Sequence, residues 1–254
     1  MYLSKLIVNA DDFGYSEAVN RAILTGFESS LLTSTSMMAN MPGFDHGVDL
    51  VCRYPVLQNR VGLHLNLTEG FPLSRGMAGL GKWCAGDGRF IYDRGRSLFR
   101  LSRGERSAVY GELRMQLERL LGAGIRPVHL DSHHHTHTEW AIAPLVCRLA
   151  KEYDIPRIRL TRNMGLVPSR AKRYYKKLFN SWFLGRRSGL AENTDFFGDI
   201  GDMNYFVKHN DGKSLSGLSF EIMVHPLFDP GGRLVDYDGK DLREGLSTYI
   251  PIDL

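Results

Sequence analysis

Leu6-Ile7-Val8-Asn9-Ala10, followed by Asp11-Asp12-Phe13-Gly14, sets the reading of the whole chain. The first five residues form a short apolar, β-rich run that stops at two carboxylates and a glycine, which predicts a buried strand ending in a polar turn. Ser16 can cap the helix that follows, Glu17 favours its dipole, and Val19, Ile23 and Phe27 recur at fourfold spacing. A strand, a loop and a helix in that order are the unit of an α/β fold. Outward from this unit, further strands are expected at Leu32–Met38, Arg60–Leu67, Val128–Asp131, Arg157–Leu160 and Leu218–Val224. Helices are expected after Pro42, over Glu105–Leu121 and Leu145–Tyr153, and as a basic helix from Ser169 to Phe183. Alternating strands and helices imply a largely parallel sheet, and at this length a distorted, TIM-like (β/α) barrel in one domain spanning residues 1–254. No repeat, low-complexity stretch or linker divides it.

The composition is that of an ordinary globular protein, with 43% hydrophobic and 24% charged residues. A net charge of +4, spread along the chain, gives no sign of nucleic acid as a partner. Cys52, Cys84 and Cys147 are odd in number and widely spaced, which argues against a disulfide framework or a thiolate zinc site. No signal-peptide core or membrane-length apolar window is seen, so a cytoplasmic location is expected. The oligomeric state stays open, a homo-oligomer included.

Polar, chemistry-bearing residues gather just after the expected strands: Asp11 and Asp12, His64, Asp131 to His137, Arg159 and Arg162, and His225. Strand carboxyl ends are where α/β folds bind ligands. Five of the nine histidines lie in His129-Leu130-Asp131-Ser132-His133-His134-His135-Thr136-His137. A polar loop of solvated histidines is the plain alternative, but this density of imidazole beside Asp points to a metal site or to proton transfer. If the stretch is extended, positions 129, 131, 133, 135 and 137 share one face. Asp11 and Asp12 can divide two tasks, one holding a metal and the other taking a proton from water. Asp is also common in caps and turns.

These residues resemble a known family. Asn9-Ala10-Asp11-Asp12-Phe13-Gly14, Gly62-Leu63-His64-Leu65, His129-Leu130-Asp131-Ser132-His133-His134-His135 and Met223-Val224-His225-Pro226 are similar, in order, to the motifs of the YdjC-like carbohydrate deacetylases. That family includes chitooligosaccharide deacetylase and hopanoid-associated deacetylase-like proteins. The resemblance implies a distorted (β/α) barrel, one divalent metal ion, and hydrolysis of the acetyl group from an N-acetylated amino sugar, whether free, oligomeric or lipid-linked. Matched position by position, Asp11 falls on the general base and Asp12, His64 and His133 on the metal ligands. His225 matches a late histidine assigned as general acid. His129, Asp131, His135 and His137 are assigned to supporting the ligands or to substrate contacts. Arg159 and Arg162 can orient Asp11 or contact substrate, although surface arginines would look the same. Magnesium and zinc both remain candidates, because two imidazoles and a carboxylate do not fix the metal.

Two stretches depart from the family pattern. The sequence runs only about twenty-five residues beyond His225-Pro226, so a reduced last strand and helix would leave the barrel incompletely closed. The insertion from Phe71 to Ser102, with Trp83, Phe90 and Tyr92, maps to no motif; its aromatics suit a local hydrophobic cluster or stacking on sugar rings. Arg170 to Arg187 interleaves bases with Tyr174, Tyr175, Phe179, Trp182 and Phe183, which suits a helix with aromatics inward and bases in water. Contact with an anionic membrane surface is the alternative. Two other functions fit parts of the pattern: a non-haem iron oxygenase on the two-His, one-carboxylate set, and a non-catalytic sugar-binding barrel.

Overall fold

The computed structural model describes residues 5–92, 100–165, 170–186, 193–210, 215 and 217–250. In chain order its elements are β1 (Lys5–Phe13), α1 (Glu17–Glu28), β2 (Ser34–Met37), α2 (Phe44–Arg53), β3 (Val61–Leu65), α3 (Arg75–Ala78), α4 (Arg103–Gly122) and β4 (Leu130–Ser132). They continue with α5 (Ala143–Glu152), α6 (Arg170–Arg186), β5 (Phe196–Gly198), α7 (Ile200–His209), β6 (Ser219–Val224), β7 (Leu227–Phe228), β8 (Leu234–Val235) and α8 (Leu242–Leu246). β1 to β6 form a parallel sheet in the order β4-β3-β2-β1-β6-β5, while β7 and β8 make a small antiparallel pair.

The sheet is curled as an α/β barrel, as the alternation of strands and helices predicts. Its incomplete edge is not at the C-terminal side, because β6 pairs with β1 in unbroken register from Lys5↔Ser219 to Ala10↔Val224. The gap lies between β4 and β5, and the stretch Arg157–Asn163 spans it. Ile158 makes a single bridge to Leu130, and the Asn163 N–H donates to the Phe197 carbonyl at 2.9 Å. The expected strand at Arg157–Leu160 is therefore reduced to a seam.

Each helix follows from its sequence. Ser16 caps α1, accepting from the Val19 N–H, and Ile23 and Phe27 are buried. Ser102 and Glu105 form a reciprocal capping box that starts α4. α4 buries Val109, Leu113, Leu117 and Leu120 together with the polar Glu112 and Gln116. Trp83 and Phe90 of the Phe71–Ser102 insertion join this core, so the local-cluster reading describes them. Around α6, Trp140 packs on Tyr175, Phe179 and Trp182; Phe179 is buried, but Tyr174 is exposed, so the aromatics do not all turn inward. Ser169 and Arg187, and the side chains of Arg170, Lys172, Arg173, Phe183 and Arg186, lie outside the described residues. Among the described residues no helix is long and apolar enough to cross a membrane.

Candidate active site and metal centre

Neighbouring residues on a strand point to opposite faces, yet Asp11 and Asp12 line the same cavity. The cause is an irregularity in β1, where the register against β2 slips between Ala10 and Phe13 and Asp12 takes a left-handed φ of 67°. Gly14 completes the turn at φ 87°, where an added Cβ would lie 2.8 Å from the Met38 carbonyl oxygen.

Asp12 Oδ1 lies 3.2 Å from His64 Nε2 and 3.0 Å from His133 Nδ1. These three residues could hold a metal ion, and the surroundings fit one. Asp12 Oδ1 is buried without a hydrogen bond of acceptable geometry, as expected of an oxygen set for a cation. Behind His64, Nδ1 meets Asp131 Oδ1 at 2.8 Å. Behind His133, Nε2 meets Glu69 Oε2 at 2.9 Å. A carboxylate behind each imidazole is the usual arrangement of histidines that ligate metal. Burial opposes a charge on His64, but Asp131 and the neighbouring acids outweigh it and push its pKa up to about 10. Burial likewise opposes ionisation of Asp12, and the two imidazoles hold its carboxyl well below the usual range.

Arg159, 1% exposed, is the hub beneath the site. Its Nη1 and Nη2 donate to the two oxygens of Asp11 at 2.7 Å each, Nη2 also reaches Asp131 Oδ2 at 2.8 Å, and Nε donates to Glu221 Oε1 at 2.7 Å. Arg157 Nη1 meets the other Glu221 oxygen at 3.0 Å. Burial raises the pKa of Asp11, of Asp131 and of Glu221, and Arg159, joined by His64 at Asp11 and Asp131 and by Arg157 at Glu221, more than reverses this. A second set of possible ligands, Asp11, His64 and Asp131, is thus already served by a guanidinium. Asp11, Asp131 and Glu221 are thus paired with Arg159, and Glu221 also with Arg157, whereas Asp12 meets the imidazoles of His64 and His133.

The histidine run is not one strand face. β4 ends at Ser132, and His133–Thr138 is a tight 3₁₀ turn with left-handed His134 (φ 53°) and His135 (φ 57°). Successive side chains therefore diverge. His133 faces Asp12, His134 stacks on Tyr92 at 4.0 Å, and His135 lines the cavity with its edge on Phe197. His137 turns back under the site, with Nδ1 2.6 Å from Ser132 Oγ and Nε2 3.2 Å from the Arg159 carbonyl. Burial lowers its pKa to about 4, and burial also holds His135 well below the usual imidazole range. His129 is buried with both ring nitrogens unbonded, 3.7 Å from Asp131 Oδ2. His129, Asp131, His137 and Arg159 are all buried, and none of them lines the cavity. Arg162 does not reach Asp11: it meets Asp199 and Asp202 at 2.6 Å each, because the paired acids that cap α7 give it nearer partners.

His225 follows β6 into the cavity. Its N–H donates to Asp236 Oδ1 at 2.6 Å, while Nδ1 stands 3.9 Å from the same oxygen. The cavity has a volume of about 490 Å³, with Val19, Met223, Pro226 and Leu227 as apolar lining beside the acids and histidines. This size suits a small-molecule site.

Sequence reasoning missed Glu69, Tyr15, Glu221 and Asp236. Glu69 follows the His64 strand in Asn66-Leu67-Thr68-Glu69-Gly70, the same strand-end position that singled out the other acids. Glu221 is a lone charge within the apolar run of β6, a signal for a buried ion pair.

The chain is 37% identical over 224 residues to a carbohydrate deacetylase of Brevibacillus brevis, covering 88% of this chain and 82% of that protein. It is 34% identical over 225 residues to a carbohydrate deacetylase of Halalkalibacterium halodurans, covering 88% and 85%. A crystal structure of a putative cellobiose-phosphate cleavage protein from Enterococcus faecalis superposes with a TM-score of 0.68 at 23% identity, over 98% of this chain and 85% of that one, and shares the fold. The model of the YdjC-like proteins matches residues 5–244, and the chain belongs to that family.

Proposed function

We propose that this protein is a metal-dependent carbohydrate N-deacetylase that removes the acetyl group from an N-acetylated amino sugar. The observation that carries the proposal is a guanidinium-held carboxylate, Asp11, beside the Asp12–His64–His133 centre in a cavity that also holds His225. The relatives named carbohydrate deacetylases support the same reading.

Amide hydrolysis needs an activated water, a stabilised oxyanion and a proton for the leaving nitrogen. Asp12, His64 and His133 would hold a divalent cation, which would supply the Lewis acidity to polarise a carbonyl and acidify water. Asp11 accepts the water's proton. Arg159 keeps that carboxylate ionised and fixes both of its oxygens, so the base is in the correct state and orientation before substrate arrives. His225 delivers a proton to the amine. Magnesium and zinc both suit the ligand set. An iron oxygenase would have no use for an arginine-clamped carboxylate beside its triad.

The test is acetate release from a panel of N-acetylated sugars and glycolipids with magnesium or zinc added. Asp11→Asn is expected to lower kcat by about 10²–10⁴-fold, the range of a general base, while metal still binds. His64→Ala is expected to lose both metal and activity. Retention of activity by Asp11→Asn would remove Asp11 from the role of base.

A further inference from the structure

We propose that Glu69 is the positioning carboxylate for His133 and that Tyr15, on the cavity wall, acts on this ligand through Glu69. The inference rests on the reading of Asp12, His64 and His133 as metal ligands.

An imidazole that presents the Nδ1 lone pair to a cation carries its proton on Nε2. In His133 that nitrogen faces Glu69 Oε2 at 2.9 Å, so Glu69 is the group that selects the tautomer and fixes the ring's rotation. The other carboxylate oxygen is also taken: Tyr15 donates its O–H to Glu69 Oε1 at 3.0 Å. With both oxygens engaged, the carboxylate cannot swing freely.

Its backbone is equally fixed. The Glu69 N–H donates to Asn66 Oδ1 at 3.1 Å, and its carbonyl accepts from Asn66 Nδ2 at 2.8 Å and Asn40 Nδ2 at 3.2 Å. Asn66 is itself gripped from α4, where Gln116 bonds both the Asn66 N–H, at 2.9 Å, and its carbonyl, at 2.6 Å. A buried helix side chain therefore sets the turn, the turn sets Glu69, and Glu69 sets His133.

The two supporting carboxylates differ in access. Asp131 is sealed at 0% exposure, whereas the Glu69 side chain is 40% exposed and its partner Tyr15 lines the cavity. His64 has a rigid support; His133 has one that a bound molecule touching Tyr15 can adjust.

The experiment measures zinc dissociation constants by competition with a chromophoric chelator, alongside the visible spectrum of the cobalt-loaded protein and the melting temperature of the metal-stripped protein. Glu69→Ala is expected to weaken zinc about 10–100-fold and to alter the cobalt spectrum, with the metal-free melting temperature unchanged. Tyr15→Phe is expected to weaken zinc by less, and to have no effect in the Glu69→Ala background. Wild-type zinc affinity in Glu69→Ala overturns the proposal, as does an equal effect of Tyr15→Phe in both backgrounds. His64→Ala separates the two readings. If it binds zinc as wild type does, the metal centre itself is misassigned; if it loses zinc while Glu69→Ala does not, only the role of Glu69 falls.

Discussion

Arg159 contacts three buried carboxylates at once, and its loss should be felt in both stability and chemistry. Arg159→Met would leave Asp11, Asp131 and Glu221 without their shared cation. Breaking a buried pair in this way costs about 3–5 kcal/mol, so a large fall in the urea midpoint is expected. Arg159→Lys is the more informative change. It retains the charge but cannot hold both Asp11 oxygens, so the Asp11 pKa rises towards the value burial alone would give. The base is then protonated at higher pH, and the acid limb of kcat/KM, measured at saturating metal, should move upward. An unmoved limb would show that Arg159 does not tune the base. Gly62 offers a steric counterpart. An added Cβ there would lie 2.3 Å from the His129 ring, so Gly62→Ala should destabilise by about 1–3 kcal/mol or more by overpacking, read as a lower melting temperature.

Among the elements, α4 supports the site through Gln116 without contributing a residue to the cavity lining. Gln116→Leu should leave the Asn66 N–H and carbonyl unpaired, costing about 1–3 kcal/mol for each buried group. Urea unfolding checks the cost, and a parallel loss of zinc affinity would show the turn carrying the disturbance to His133. The major strands and helices were legible in the sequence because apolar periodicity and caps such as Ser16 and Ser102 are local. β5 and α7 escaped notice: β5 has three residues, and the Asp199–Asp202 capping box that starts α7 was overlooked although it can be read from spacing alone. The histidine run misled because period-two reasoning assumes an extended backbone, and two successive left-handed residues end it after Ser132. The slip that turns Asp11 and Asp12 to one side was likewise hidden, since it depends on pairing with β2. Glu69 was missed because its meaning comes from His133, 64 residues away.

At the scale of the whole molecule, the buried imidazoles tie stability to acidity. His137 stays neutral in the folded protein down to about 4, whereas an unfolded histidine takes a proton near 6.5. Between those values the unfolded chain binds more protons, so stability rises with pH across this window and is lost on acidification, by on the order of 3 kcal/mol for this group. His137→Gln should therefore show a smaller drop in urea midpoint between pH 7 and pH 4.5, and an identical drop would assign the acid sensitivity elsewhere. The barrel wall itself is thinnest along Arg157–Asn163, where one bridge and a few hydrogen bonds join β4 to β5. Arg159 sits on that same stretch, with its guanidinium drawn inward by charges from β1, β4 and β6. Closure of the wall is consequently what brings Arg159 to Asp11. During refolding, recovery of activity should coincide with amide-exchange protection of Leu130 and Arg159, because a chain with an open wall would leave Asp11 without the guanidinium that fixes and ionises it.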